Sequence, residues 1–78
     1  QKNYPMKEPW FRMGFLLKQM GHTDKAKEIF ETLLDQTDGA QKRADIYFEL
    51  AAAHGANGDR KEALALYAKC LIIQRQLF

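Results

Sequence analysis

Two stretches of this chain carry one pattern of residues, and that recurrence limits the fold more than any other feature. Trp10, Met13, Gly14, Leu17, Gly21, Ala26, Phe30 and Leu33 are matched in order by Tyr47, Leu50, Ala51, His54, Gly58, Ala63, Tyr67 and Cys70. Every pair stands 37 positions apart (47 − 10, 58 − 21, 67 − 30), without a slip. Within each copy, apolar residues recur at steps of three and four on both sides of a glycine, Gly21 or Gly58. Such spacing gathers them on one face of each of two helices, and the glycine separates one helix from the next. A pair of amphipathic helices cannot bury its apolar face alone, whereas pairs stacked in register can. Recurrence at a fixed spacing is therefore the mark of a stacked repeat protein.

The order of residue types resembles the tetratricopeptide repeat (TPR) family, whose pattern is W-x2-L-G-x2-Y followed by A-x3-F. Here it reads Trp10-x2-Met13-Gly14, then Ala26-x3-Phe30, and again Tyr47-x2-Leu50-Ala51, then Ala63-x3-Tyr67. The resemblance covers about Lys7 to Arg75. It implies an all-α fold: two stacked TPR helix-turn-helix units forming a short right-handed α-solenoid of about four helices. The whole chain, 1–78, is then a single TPR domain, with repeat one at about 7–38 and repeat two at about 44–75. The family period is about 34 residues, so roughly three extra residues lie between the units. The segment GDRKEALALYAKCLIIQRQ is similar to kinesin-light-chain-type repeats, although that group's period is longer. The chain departs from the family pattern at His54, where Tyr is usual, and at Cys70, where Ala is usual. It also lacks the Pro that often closes a repeat, with Asp38 and Arg75 in its place.

Local signals divide the chain further. Gln1 to Glu8, with Pro5, reads as an extended arm leading to Pro9, whose missing N–H costs little in a first helical turn. Helix one is expected over Pro9 to Met20, and helix two from Thr23, as its N-cap, to about Gln36. Helix three follows from Gly39 or Ala40 to Ala56, capped by Thr37 or Asp38. Helix four begins after Asp59, which stands at capping-box spacing from Glu62, and reaches Leu77. Gly55 costs about 1 kcal/mol against Ala inside a helix, so helix three is expected to fray or end early there. Gly14, Ala51, Ala26 and Ala63 mark close approaches between helices, and Trp10, Phe30, Tyr47 and Tyr67 are expected to be buried between them, each stabilising by roughly 1.5–3 kcal/mol. No stretch alternates with period two, so no strand is expected.

Composition narrows the function classes. With 78 residues and 46% apolar content the chain makes one folded domain rather than a disordered segment. Its charge of +2 is mixed in sign, with no basic run longer than Lys42-Arg43. A nucleic-acid surface needs a basic stripe, so no nucleic-acid partner is expected. No run approaches the roughly 18 apolar residues of a membrane span, so no membrane partner is expected either. The single cysteine, Cys70, excludes an internal disulfide and fits a reducing, cytoplasmic setting. The chain opens on Gln1 rather than Met, as a piece of a longer protein would. His54 and Cys70 supply at most two ligands where structural zinc takes about four. They also lack the orienting group and oxyanion site that a Cys–His nucleophile needs. Both read as packing. Asp35, Asp38 and Asp45 read as capping and dipole pairing, and Lys25, Lys27, Glu28 and Glu31 as a solvated helix face. No catalytic residue, metal or cofactor is expected, and the chain is not read as an enzyme.

What the family resemblance implies for function lies on the first helix of each unit, which lines a concave groove that holds a peptide. Phe11 and Phe48 occupy one position of that face, Phe15 and Ala52 the next. TPR domains that grip the C-terminal carboxylate of chaperones carry Lys, Arg or Asn at such positions, so that binding mode does not carry over. What remains is an apolar strip, Phe11, Phe15, Phe48 and Ala52, edged by Lys18, Asp45 and Glu49. The strip is either covered by the arm or a neighbouring repeat, or open as a binding site for a protein or peptide partner. A module that scaffolds protein–protein contacts is the first reading. The alternative is a structural or oligomerisation module. Ile72, Ile73, Leu77 and Phe78 cover more than one side of helix four, and would meet a second copy or a further repeat of the parent protein.

Overall fold

The computed structural model of the chain describes residues 7–77. It is built from four helices, α1 (Lys7–Gln19), α2 (Thr23–Asp35), α3 (Ala40–Ala56) and α4 (Arg60–Leu77), and no strand occurs among the described residues. Each helix packs on the next in the chain, and α1 also touches α3. The two helix-turn-helix units expected from the doubled pattern are thus stacked through α2 and α3. Most of the expected arm, and Phe78, lie outside the described residues. Lys7 and Glu8, read as part of that arm, belong to α1 instead. Pro9 still falls in the first turn, where backbone N–H groups have no intrahelical partner, so the helix can begin before it.

The turns inside the two units are built alike. Gly21 and Gly58 have φ of +88° and +90°. After α1, the N–H of His22 donates to the Leu17 carbonyl at 2.8 Å and that of Gly21 to Lys18 at 3.1 Å. After α3, Asp59 donates to His54 at 2.9 Å and Gly58 to Gly55 at 3.1 Å. This is the Schellman arrangement, in which a left-handed residue after the helix satisfies its last carbonyls, and glycine takes that conformation without strain. α3 runs through Gly55 to Ala56 and does not end early.

The helix starts differ from the sequence expectation. Thr23 is the first residue of α2 rather than its cap; His22 precedes the helix without a side-chain cap. The Thr23 hydroxyl is instead engaged across the molecule, donating to Asn57 Oδ1 at 3.2 Å. Neither Thr37 nor Asp38 caps α3; Gly39 stands at that position, with no side-chain cap. At this junction the Arg43 guanidinium folds back over the end of α2. Its Nη1 donates to the carbonyls of Leu34 at 2.7 Å and Thr37 at 2.8 Å, and Thr37 is buried beneath it. A cation beside the last carbonyls of a helix complements the negative end of its dipole.

One core runs through both units. It joins Ile29, Phe30 and Leu33 of α2 to Ile46, Leu50 and Ala51 of α3 and Leu66 of α4. Phe30 is fully buried, but Trp10, Tyr47 and Tyr67, also expected inside, are only partly so. Phe30 has α1 on one side and α3 on the other. Tyr67 is its counterpart in the second unit, with α3 on one side and, among the described residues, no helix on the other. Cations lie over the Tyr47 ring, with Arg43 and Lys69 each 5.7 Å from its centre.

Candidate partner-binding surface

The residues singled out from the sequence fall into two kinds of environment. Phe11 and Phe48 each pack edge-on against a ring of the second helix in their own unit. Phe11 meets Phe30 at 5.6 Å and 65°, and Phe48 meets Tyr67 at 5.5 Å and 67°. Aromatic pairs favour this geometry because the positive ring edge meets the negative face. The two pairs are one arrangement repeated, yet Phe11 is half-buried while Phe48 remains 49% exposed. The difference is α3, which covers the first pair; no helix among the described residues covers the second.

Phe15, half-buried, lies beneath Lys18, whose Nζ is 4.7 Å from its ring centre. The same Nζ makes a 2.7 Å ion pair with Glu49 Oε1, with both side chains largely withdrawn from solvent. Lys18 thereby ties α1 to α3 and closes one end of the strip. Asp45 is exposed and accepts a hydrogen bond from Gln41 at 3.1 Å, and Ala52 is half-buried on the same helix.

A groove of about 570 Å³ opens where α3 meets α4, lined by Phe11, Asp45, Phe48 and Glu49 together with Tyr67, Cys70, Leu71 and Gln74. A second hollow, of about 390 Å³, lies between α1 and the start of α3 and takes in Lys7, Glu8, Phe11, Thr37 and Asp45. Phe15, Lys18 and Ala52 line neither of these two. The expected strip is therefore divided: Phe11, Asp45 and Phe48 meet at the groove, and Phe15, Lys18 and Ala52 lie apart from it. The contribution of α4 was missed from the sequence, although the signal was present. Tyr67, Cys70, Leu71 and Gln74 stand one repeat after Phe30, Leu33, Leu34 and Thr37, which form the seat of α3 in the first unit.

The groove's lining is mainly apolar, with Asp45 and Glu49 as its carboxylates. Burial first, and then the negative charge of Asp45, push the Cys70 thiol above the ordinary thiol range, so it stays protonated and a poor nucleophile. His54 lies at the opposite end of α3 from the groove, its Nδ1 3.3 Å from Asp59 Oδ2, and Lys27 approaches the same carboxylate at 3.8 Å. The first contact closes the α3–α4 turn and the second ties that turn to α2. Among the described residues no group of three or more His, Cys, Asp or Glu side chains is placed to hold a metal ion. No helix is long and apolar enough to cross a membrane.

The family model described as tetratricopeptide repeat matches the chain twice, at residues 8–37 and 44–76. No curated protein and no solved structure matches it.

Proposed function

The chain belongs to the tetratricopeptide repeat family, and from that premise we propose that it holds a peptide or helical segment of a protein partner on the face formed by α1 and α3. Repeats of this family are, as a class, protein–protein interaction scaffolds and not enzymes. The observation that carries the reading is Phe48, a large ring left 49% exposed at the mouth of a groove with Asp45 at its rim. An aromatic anchor in a pre-formed apolar hollow, edged by charge, is what a binding hot spot requires. Phe11 and Asp45 share that groove, and Phe15, Lys18 and Ala52, apart from it on α1 and α3, would extend the contact. The same reading places the chain in the cytoplasm, where its free thiol stays reduced.

Selection from a displayed peptide library, followed by calorimetry, tests this. Selected peptides should lose at least tenfold in affinity against both Phe48→Glu and Phe15→Glu, while circular dichroism shows each variant folded. Peptides bound equally well by both variants would place the contact elsewhere.

A second reading has its own support. On α4, Leu71, Ile72 and Leu77 are 60%, 55% and 45% exposed. With half-buried Ile73 they form an apolar surface on the last helix, which self-association would cover. Phe78, expected to share that role, lies outside the described residues.

A further inference from the structure

The internal repeat gives both halves of an interface. In the first unit, Phe30, Leu33 and Leu34 of α2 form, with Phe11, the seat on which α3 lies through Ile46 and Leu50, which are 4% and 3% exposed. One repeat on, Tyr67, Cys70 and Leu71 of α4 form the same seat with Phe48, down to the matching edge-on ring pair. No helix among the described residues lies on that second seat, and Leu71 is 60% exposed on it. The complementary surface lies at the other end of the molecule. One repeat before Ile46, Leu50 and Ala53 stand Pro9, Met13 and Leu16 of α1, on one helical face by their spacing. Ala53 is fully buried, whereas Pro9 is exposed, Met13 is 48% exposed and Leu16 58% exposed.

We propose that α1 of a second copy docks, through Met13 and Leu16, into the α3–α4 groove around Leu71, in the way α3 docks on α1 and α2 within the chain. The occupant is a second copy because this chain itself presents the helix face that the seat is built to accept, in the register the repeat dictates. The interface would repeat, one unit on, the α2–α3 contact within the chain. Met13 takes the place of Leu50 at nearly equal volume, a swap that packed surfaces tolerate. The ion pair from Lys18 to Glu49 is replaced by Gly55 of one copy against Arg12 of the next, so no pair of like charges is created there. At the rim, Glu8 of the incoming copy comes beside Asp45, as Glu8 and Asp45 of one chain already share a hollow. Both are exposed, so added salt screens that repulsion and tightens assembly. The contact is head-to-tail, and a heterologous contact that does not close on itself extends into an open chain of copies.

This deepens the self-association reading and rests on it, so the test separates the two. Sedimentation over a wide concentration range should show mass rising without a limiting dimer, and rising further with added salt. Leu71→Glu removes the seat and Leu16→Glu removes the incoming face. Each variant alone should remain monomeric with unchanged helicity, and an equimolar mixture should give a 1:1 dimer and nothing larger. A two-fold dimer that survives Leu16→Glu would keep self-association and overturn this geometry. A monomer at every concentration, or a mixture of two folded variants that fails to pair, would overturn it outright. Leu71 lines the same groove as Phe48 and Leu16 does not, so peptide binding is scored on the Leu16→Glu variant, whose groove is intact.

Discussion

Gly14 sits where two helices come closest, and a side chain there meets the best-fixed ring in the molecule. A Cβ would lie 2.9 Å from Phe30 Cζ, 3.0 Å from Cε1 and 3.4 Å from Ile29 Cγ2. Phe30 is fully buried and flanked by Phe11, so its ring has little room to swing away. Ala in place of Gly gains about 1 kcal/mol in a helix interior, while overpacking of this kind costs about 1–3 kcal/mol. Gly14→Ala should therefore lower stability by about 1 kcal/mol, seen as a lower urea midpoint at unchanged slope. A midpoint equal or higher would show that the ring yields. The second unit carries Ala51 at the matching position, where the matching ring is half-exposed Tyr67. The close approach at Gly14 was legible in the sequence, because a small residue recurs against a recurring ring. The incomplete burial of Trp10, Tyr47 and Tyr67 was not, because local pattern records which face a residue occupies and not whether a helix lies beyond it.

The helices themselves were legible to within two residues at most ends, since periodicity and the two left-handed glycines define them. The N-terminal caps expected for α2 and α3 were not. The Thr23 hydroxyl is used by Asn57 from the other turn, and Arg43 secures the end of α2 from the second turn of neighbouring α3. Both are partnerships between elements, invisible to a local rule about which residue precedes a helix. Gly55 gives a sharper contrast. The sequence marks it as a weak point, and α3 nevertheless continues through it, held by the Schellman bonds of the following turn. Its cost should remain in the folded protein. A Cβ there would meet Ala63 Cβ at 3.7 Å, an ordinary contact, at a residue with no positive φ. Gly55→Ala should accordingly stabilise the fold by about 0.5–1 kcal/mol through helix propensity and a less flexible unfolded chain. Thermal denaturation would show a higher midpoint. A fall would mean that the α3–α4 approach requires the missing side chain.

At the scale of the whole molecule, the two units are separate in sequence and joined in energy. The doubled pattern made the units legible, but the groove was not, since it combines residues of α3 with residues of α4 that the pattern had assigned to packing. The core crosses from α2 through α3 to Leu66 of α4, with Trp10 and Phe11 of α1 packed against it, so no boundary of weak contact separates one unit from the other. Stacked repeats owe their stability to such interfaces as much as to the units themselves. Leu66 is 5% exposed, and truncating a buried Leu costs about 2–5 kcal/mol. That is comparable with the whole stability of a small domain, about 5 kcal/mol at the lower end. Trp10, the sole tryptophan, lies in the other unit, on the first helix, and reports its state by fluorescence. In the wild-type chain, urea unfolding followed by Trp10 fluorescence and by far-ultraviolet circular dichroism should give coincident transitions, as a two-state domain requires. Leu66→Ala should move both to lower urea by the same amount, although the substitution lies in the second unit and the reporter in the first. If the Trp10 transition kept its midpoint while the dichroism shifted or split, the first unit would be folding on its own, and the shared core would be contact without coupling.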